Sequence, residues 1–142
     1  MRRLIGTTEQ SIDPKGRLVL PSNHRERYVD GAILSLREDH LAIYEPSAWD
    51  QFVEKLLARL EAGDVSRRAF NHIAGDAVDL RPDTAGRILI PQSMRTDLGL
   101  ERDVKGKGVV TYLAVYPRNA EIEDAEGDVR HQARQIVDAI GI

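Results

Sequence analysis

The feature that most constrains this chain is an internal repeat. Residues 13–28 read DPKGRLVLPSNHRERY, and residues 83–98 read DTAGRILIPQSMRTDL. A second pair of segments, LAIYEP at 41–46 and LAVYP at 113–117, follows the two copies at nearly the same interval. Similarity at a fixed interval indicates that one supersecondary unit occurs twice. In a chain of 142 residues, two such small units bury a sizeable core best by packing against each other.

Each copy predicts a tight turn that leads into a strand. An aspartate at the first position of a type I turn and a glycine at the fourth are typical of a hairpin whose glycine adopts positive φ. The aliphatic runs at 17–20 and 87–90 fit short strands, and the prolines that follow would end them. A short helix and a second hairpin come next. We therefore expect the order strand, turn, strand, helix, strand, turn, strand in residues 1–46 and again in 76–118.

Helical patterns lie between the two copies and after the second one. In residues 47–75, Ser47 and Asp50 form a variant of the capping box. Apolar residues then recur every three to four positions from Trp49, which we interpret as a core residue. A second, shorter helix is expected in the same segment. Residues 119–142 are acidic with a narrow apolar stripe, which predicts a tail helix that packs on a neighbour or frays.

Composition and motifs argue against an enzyme and against a cofactor or metal site. The chain has no cysteine, which excludes disulfides, thiol nucleophiles and cysteine-bound zinc. Its four histidines are spread along the chain without the spacing of a metal site: His24, His40, His72 and His131. KGKG at 105–108 lacks the spacing of a phosphate-binding loop, and no Gly-x-Ser-x-Gly motif occurs. No apolar run approaches the length of a membrane span, so we expect a cytoplasmic protein.

Positive charge is concentrated in the two copies of the repeat, although the whole chain carries a net charge of −3. Residues 1–28 sum to +3 and residues 81–107 to +2, whereas residues 45–80 and 118–142 each sum to −3. A polyanionic partner responds to the local charge of the surface that it meets rather than to the total. The repeats are therefore candidates for contact with nucleic acid.

Arg17 and Arg87 have two interpretations on the residues alone. Each can neutralise the aspartate of its own turn, Asp13 or Asp83, since exposed pairs of this kind are common and contribute only about 0–1 kcal/mol. Alternatively, the aspartate positions the turn, and the arginine presents its planar donors to a phosphate or to the edge of guanine. Lys15 adds a charge suited to a backbone phosphate.

The doubled DPKGRLVLP and DTAGRILIP segments, together with the helix after YEPSAW, resemble the MraZ family of bacterial transcriptional regulators over about residues 1–118. The resemblance implies a mostly β (α+β) fold. In it, two pseudo-symmetric AbrB-like swapped-hairpin units form one β-barrel-like body with additional helices. It also implies a nucleoid-associated repressor that binds repeated DNA elements upstream of its own cell-division and cell-wall gene cluster. Members of the family assemble into rings, so a ring-like homo-oligomer is expected.

The resemblance also assigns DNA contact to the Asp-x-x-x-Arg turn, which corresponds to residues 13–17 and 83–87. The expected DNA-binding residues are Lys15, Arg17, Arg87, Arg2 and Arg3. The expected loop-positioning residues are Asp13, Gly16, Asp83 and Gly86. Four arginines are equally compatible with a structural and a phosphate-contacting role: Arg2, Arg3, Arg25 and Arg27. Ala85 stands where the first turn has its lysine, so we expect the second turn to contribute less.

One other class of regulator is the alternative. An antitoxin-like AbrB-family regulator would act mainly through a protein partner, but such chains usually resemble one unit rather than two. No catalytic residue, cofactor or small-molecule substrate is expected. The expected partners are double-stranded DNA and further copies of the chain.

Overall fold

The computed structural model describes residues 3–120 and 126–141. The strands are β1 (Ile5–Ser11), β2 (Arg17–Val19), β3 (Ala32–Leu36), β4 (Leu41–Tyr44), β5 (Val78–Leu80), β6 (Arg87–Leu89), β7 (Asp103–Val109) and β8 (Leu113–Pro117). The α-helices are α1 (Pro46–Glu61), α2 (Arg67–Gly75), α3 (Gln92–Leu98) and α4 (Glu126–Ile140), and a 3₁₀ helix spans Ser22–Tyr28. Strands and helices both contribute substantially, so the fold is mixed α+β.

Six strands form one antiparallel sheet in the order β1-β7-β8-β4-β3-β5, and β2 pairs with β6 in a separate two-stranded sheet. The first strand of each repeat lies against a hairpin of the other repeat, because β1 pairs with β7 and β5 pairs with β3. At the centre, β4 and β8 align Ala42 with Ala114, and β2 and β6 align Leu18 with Ile88. Each of these pairs joins corresponding positions of the repeat. A pseudo-two-fold axis therefore relates the two copies.

The main core lies between the β2–β6 sheet and one face of the six-stranded sheet. Leu18 and Ile88, at the centre of the β2–β6 sheet, are 0% exposed. They belong to the same core cluster as Leu34 of β3 and Leu113 of β8. Burial of a leucine or isoleucine side chain contributes about 1.5–3 kcal/mol, so this cluster fixes how the two copies sit on each other.

Helix α1 covers the opposite face of the six-stranded sheet. Side chains alternate along a strand, so Ile33 and Tyr44 point away from the core that holds Leu34. Trp49 and Phe52 of α1 pack against the Tyr44 ring, with centroid distances of 5.2 and 5.6 Å. Helix α1 and the β2–β6 sheet therefore lie on opposite sides of the molecule.

Two expectations differ from the structure. The capping box predicted from Ser47 does not form, because the N-cap of α1 is Glu45, two residues earlier, and Glu45 makes no side-chain capping bond. The barrel-like body is not confirmed either. Strands β1 and β5 are the two edges of the six-stranded sheet, so the strands of the described residues form no closed barrel.

The acidic tail predicted over residues 119–142 is described only in part, because residues 121–125 lie outside the described ranges. Helix α4 forms in the remainder and carries the apolar stripe. Val129 is 41% exposed and Ile136 is 60% exposed, so the other described residues leave the stripe largely open to solvent.

Candidate nucleic-acid interface

The two Asp-x-x-x-Arg turns have the same backbone geometry. In the first turn, the Gly16 N–H donates to the Asp13 carbonyl and the Asp13 N–H donates to the Arg17 carbonyl, each at 2.9 Å. The second turn repeats both bonds at 2.9 Å. The glycines have positive φ, 85° at Gly16 and 75° at its counterpart Gly86. The predicted hairpin turn, with glycine in the left-handed region, is therefore present in both copies.

The aspartate side chain of each turn holds the loop backbone. Asp13 Oδ1 accepts hydrogen bonds from the backbone N–H groups of Lys15 at 3.0 Å and Arg17 at 2.9 Å. Asp83 Oδ1 accepts the two equivalent bonds at 3.0 and 2.8 Å. The backbone bond from Arg17 is the main reason that the pKa of Asp13 lies below its ordinary value, and the equivalent bond lowers the pKa of Asp83. The shape of each turn thus depends on an ionised aspartate.

We expect acid to destabilise the protein partly through these two turns. A carboxyl whose pKa is lower in the folded than in the unfolded state stabilises the fold above its unfolded value of about 3.9 and loses that contribution as the pH falls further. The Asp13→Asn/Asp83→Asn variant lacks this titration, so its unfolding free energy should depend less on pH below about 4. Urea unfolding of both proteins across this range measures the difference. Identical pH dependence would contradict the role given to the aspartates.

The side chains of the two turns meet in a group that we call the Asp–Arg cluster: Asp13, Arg17, Asp83 and Arg87. Arg17 Nε donates to Asp13 Oδ2, and Arg87 Nε donates to Asp83 Oδ2, both at 2.7 Å. Weaker cross pairs join the copies. Arg17 Nη1 lies 3.8 Å from Asp83 Oδ2, and Arg87 Nη1 lies 3.7 Å from Asp13 Oδ2. The pairing of β2 with β6 brings the turns together, so the cluster straddles the pseudo-two-fold axis.

The Asp–Arg cluster is partly exposed and electrically balanced. The side chains of Arg17 and Arg87 are 28% and 32% exposed. Their Nε atoms are occupied, but no Nη atom of either arginine makes a hydrogen bond within the part of the chain that the structure describes. Both interpretations of these arginines therefore have a physical basis. Each arginine neutralises its own aspartate through Nε and retains Nη groups that can donate to a ligand.

The other predicted contacts are placed differently. Lys15 is exposed in the first turn. Arg3 is exposed and lies before β1, whereas the first turn follows β1. The seven residues of β1 span about 20 Å, and this length separates Arg3 from the turn. The structure therefore does not bring Arg3 to the turns, and Arg2 lies outside the described residues. Arg27 has a structural contact, because its Nη1 lies 2.6 Å from Oε2 of Glu45 and links the 3₁₀ helix to the start of α1.

Arg25 and Arg95 cross the turn of the opposite copy. A Cβ atom on Gly86 would lie 2.7 Å from Arg25 Cδ, and a Cβ atom on Gly16 would lie 2.8 Å from Arg95 Cζ. The sequence signal for this pair was their recurrence at corresponding positions of the repeat. The recurrence could not reveal that each arginine lies on the other copy, because that follows from the pairing of β2 with β6.

The described residues contain no group of three His, Cys, Asp or Glu side chains arranged to hold a metal ion. Within the same ranges, none of the helices has the length and apolar character needed to cross a membrane.

The similarity of this chain to known proteins covers both copies of the repeat. Residues 4–72 and 73–124 match the model of a family described as "MraZ protein, putative antitoxin-like". A protein named Transcriptional regulator MraZ from Acetivibrio thermocellus is 34% identical over 139 residues, which cover 96% of each chain.

Two further proteins of that name are similarly identical over somewhat shorter alignments. The one from Thermomicrobium roseum is 34% identical over 130 residues, covering 87% of this chain and 91% of the relative. The one from Desulfosudis oleivorans is 33% identical over 115 residues, covering 80% and 79%. Because the family model matches both copies of the repeat and these relatives align with most of the sequence, the chain belongs to the MraZ family.

Proposed function

We propose that this chain is a transcriptional regulator that binds double-stranded DNA through its two Asp-x-x-x-Arg turns. The observation that carries the proposal is the Asp–Arg cluster, which holds two arginines side by side at one partly exposed surface. The names of the relatives support the regulatory role. In its full form, the proposal is repression at repeated elements upstream of the protein's own cell-division and cell-wall gene cluster, at the nucleoid.

The chemistry of the cluster suits a phosphate oxygen or the edge of guanine. The two Nη groups of an arginine form a planar fork that can donate two parallel hydrogen bonds. The bond from Nε to aspartate fixes the direction of that fork, so less side-chain freedom is lost when DNA binds. Asp13 and Asp83 are then positioning residues, and Arg17 and Arg87 are the contacts.

The two turns are not chemically equal. The first turn carries Lys15, and the second carries Ala85 at the same position. An exposed ammonium group adds attraction to a backbone phosphate without reading the base sequence. We therefore propose that the first turn supplies more of the affinity.

Stable binding also calls for several copies of the chain on one stretch of DNA. One cluster presents few donors, whereas linked weak contacts gain affinity through effective concentration. We propose a ring-like homo-oligomer that presents successive clusters to successive DNA elements.

Light scattering is expected to return a mass several times the 15.9 kDa of one chain at micromolar concentration. The reason is that the multivalent mechanism requires the oligomer to exist before it meets DNA. A monomeric mass at that concentration would contradict the multivalent part of the proposal.

Footprinting of the DNA upstream of this protein's own gene tests the proposed function. We expect several protected elements of similar sequence, with protection by the purified protein alone. A uniform or absent footprint would contradict sequence-specific regulation. Protection that requires a second protein would instead favour the antitoxin-like alternative.

A further inference from the structure

We propose that Arg25 and Arg95 contact DNA phosphates beside the two turns and supply more of the net positive charge of this surface than Arg17 and Arg87 do. The inference rests on the proposed DNA-binding function and adds a pair of phosphate-binding residues to it. It concerns phosphodiester oxygens rather than base edges, so it bears on affinity and salt dependence.

Arg25 and Arg95 lie directly beside the two turns. The guanidinium of Arg95 lies over Gly16, whose Cβ would be 2.8 Å from both Cζ and Nη2. The side chain of Arg25 lies in the same way over Gly86, whose Cβ would be 2.7 Å from Cδ and 3.0 Å from Nε. Each turn glycine therefore leaves room for an arginine of the other copy. Both guanidinium groups are held next to the turn backbone that the proposed function places against DNA.

Both guanidinium groups are anchored by a hydrogen bond to the backbone. Arg25 Nε donates to the Leu20 carbonyl at 3.3 Å, and Arg95 Nε donates to the Ile90 carbonyl at 3.0 Å. These bonds use one donor of each guanidinium and fix its orientation. The Nη groups of both arginines make no hydrogen bond or ion pair within the described residues. An oriented guanidinium with unbonded Nη groups is suited to the fork-like geometry of a phosphate contact.

The charge balance of this surface also favours Arg25 and Arg95 as phosphate contacts. In the Asp–Arg cluster two arginines face two aspartates, so the cluster adds no net charge. Arg25, Arg95 and Lys15 make no ion pair within the described residues, and their charge is therefore available to attract phosphate. Counterion release depends on this available charge.

Acidic side chains near Arg95 partly offset its positive charge. Arg95 lines a hollow of about 660 Å³ beside the first turn together with Glu101, Arg102 and Asp103. The two carboxylates there reduce the local potential. We therefore expect Arg95 to contribute less than Arg25, and the test uses single and double variants.

The salt dependence of DNA binding tests the proposal. Binding of wild type, Arg25→Gln, Arg95→Gln and the double variant to a duplex from the footprinted region is measured by fluorescence anisotropy over a range of salt concentrations. A fully lost phosphate contact should flatten the slope of log K against log salt by about 0.9 for each copy of the chain on the DNA. The double variant should therefore flatten the slope by up to about 1.8 for each copy, and Arg95→Gln should flatten it less than Arg25→Gln. Arg59→Gln is the matched control, because Arg59 is exposed on α1 at the opposite side of the sheet.

Lysine variants separate charge from anchoring. Arg25→Lys and Arg95→Lys keep the charge but lose the planar fork and the Nε bond to the carbonyl. They should keep most of the wild-type salt slope if phosphate contact is the role. Melting temperatures show whether each variant is folded. If a glutamine variant melts at a markedly lower temperature than wild type, the corresponding methionine variant replaces it, because methionine keeps an apolar side chain across the glycine.

Three results would overturn the proposal. The first is a folded double variant with the wild-type salt slope. The second is an equal flattening in the Arg59→Gln control. The third is a loss of DNA affinity in the lysine variants with no change in the salt slope. That result would show that the arginines stabilise the turns and do not contact phosphate. If wild type itself shows no salt-dependent DNA binding, the proposed function fails as well, whereas the first three results leave that function intact.

Discussion

Arg17→Ala is expected to weaken operator binding by about 1–3 kcal/mol for each turn engaged, while the protein stays folded. The substitution removes the Nη donors and leaves the Asp13 carboxylate without its 2.7 Å partner at the surface that we propose faces DNA. A contact is lost and a repulsive charge remains. Folding stability should change little, because a partly exposed ion pair contributes about 0–1 kcal/mol. Fluorescence anisotropy and thermal melting measure the two effects separately.

Two further variants, Arg87→Ala and Arg59→Ala, test this prediction. Arg87→Ala should weaken binding less, since its turn has Ala85 in place of the lysine. Arg59→Ala, on α1, should leave binding unchanged. If Arg17→Ala bound its operator normally but melted at a markedly lower temperature, the arginine would be a structural partner of Asp13 and not a DNA contact.

Gly16→Val is expected to fail in a different way, with stability and DNA binding falling together. A β-branched residue disfavours the φ of 85° at this position, and the side chain would enter the space occupied by the Arg95 guanidinium. Backbone strain of this kind costs of order 1–3 kcal/mol, so the unfolding free energy should fall by at least about that amount. Urea unfolding measures the loss, and the same samples are tested for DNA affinity.

Gly63→Val is the matched control for the turn variant. Gly63 has φ 84°, but a Cβ atom there would meet nothing within 4 Å. The control therefore carries the same backbone strain without the crossing arginine, and it lies in the turn that follows α1 rather than in an Asp-x-x-x-Arg turn. It should lose stability and keep its DNA affinity. Equal loss of DNA affinity in both variants would show that destabilisation alone explains the effect of Gly16→Val.

The turns could be predicted from the sequence because their contacts are local. Asp13, Gly16 and Arg17 form their backbone bonds within five residues, and the side chain of Asp13 closes the same loop. Position-specific preferences for aspartate and glycine act at this range. Because the turn sequence occurs twice, the same local prediction applied at residues 13–17 and 83–87.

The meeting of the two turns could not be predicted in the same way. It depends on the pairing of β2 with β6 and on the alignment of Leu18 with Ile88, which join segments about 70 residues apart. Local preferences do not specify such a register, since it is set by how the buried faces of both copies fit together. For the same reason, the sequence left Arg25 and Arg95 without an assigned partner.

The start of α1 shows a smaller limit of sequence reasoning. Ser47 and Asp50 fit a capping pattern, but Pro46 suits the first turn of a helix equally well, and the structure starts α1 there. Signals that place the N-cap two residues apart, at Glu45 or at Ser47, cannot be separated by composition. The barrel-like closure was also not observed, because the described sheet has two free edges at β1 and β5.

The most direct test of the central claim is site-specific photo-cross-linking of the protein to its operator. Ala85, in the second turn, and Ala58, on α1, are both exposed, and they lie on opposite sides of the six-stranded sheet. A photo-reactive residue placed at either position leaves the Asp–Arg cluster unchanged. If the turns face DNA, irradiation should give a protein–DNA adduct from position 85, and also from position 15, but none from position 58. Adducts from position 58 without any from positions 15 and 85 would contradict the account.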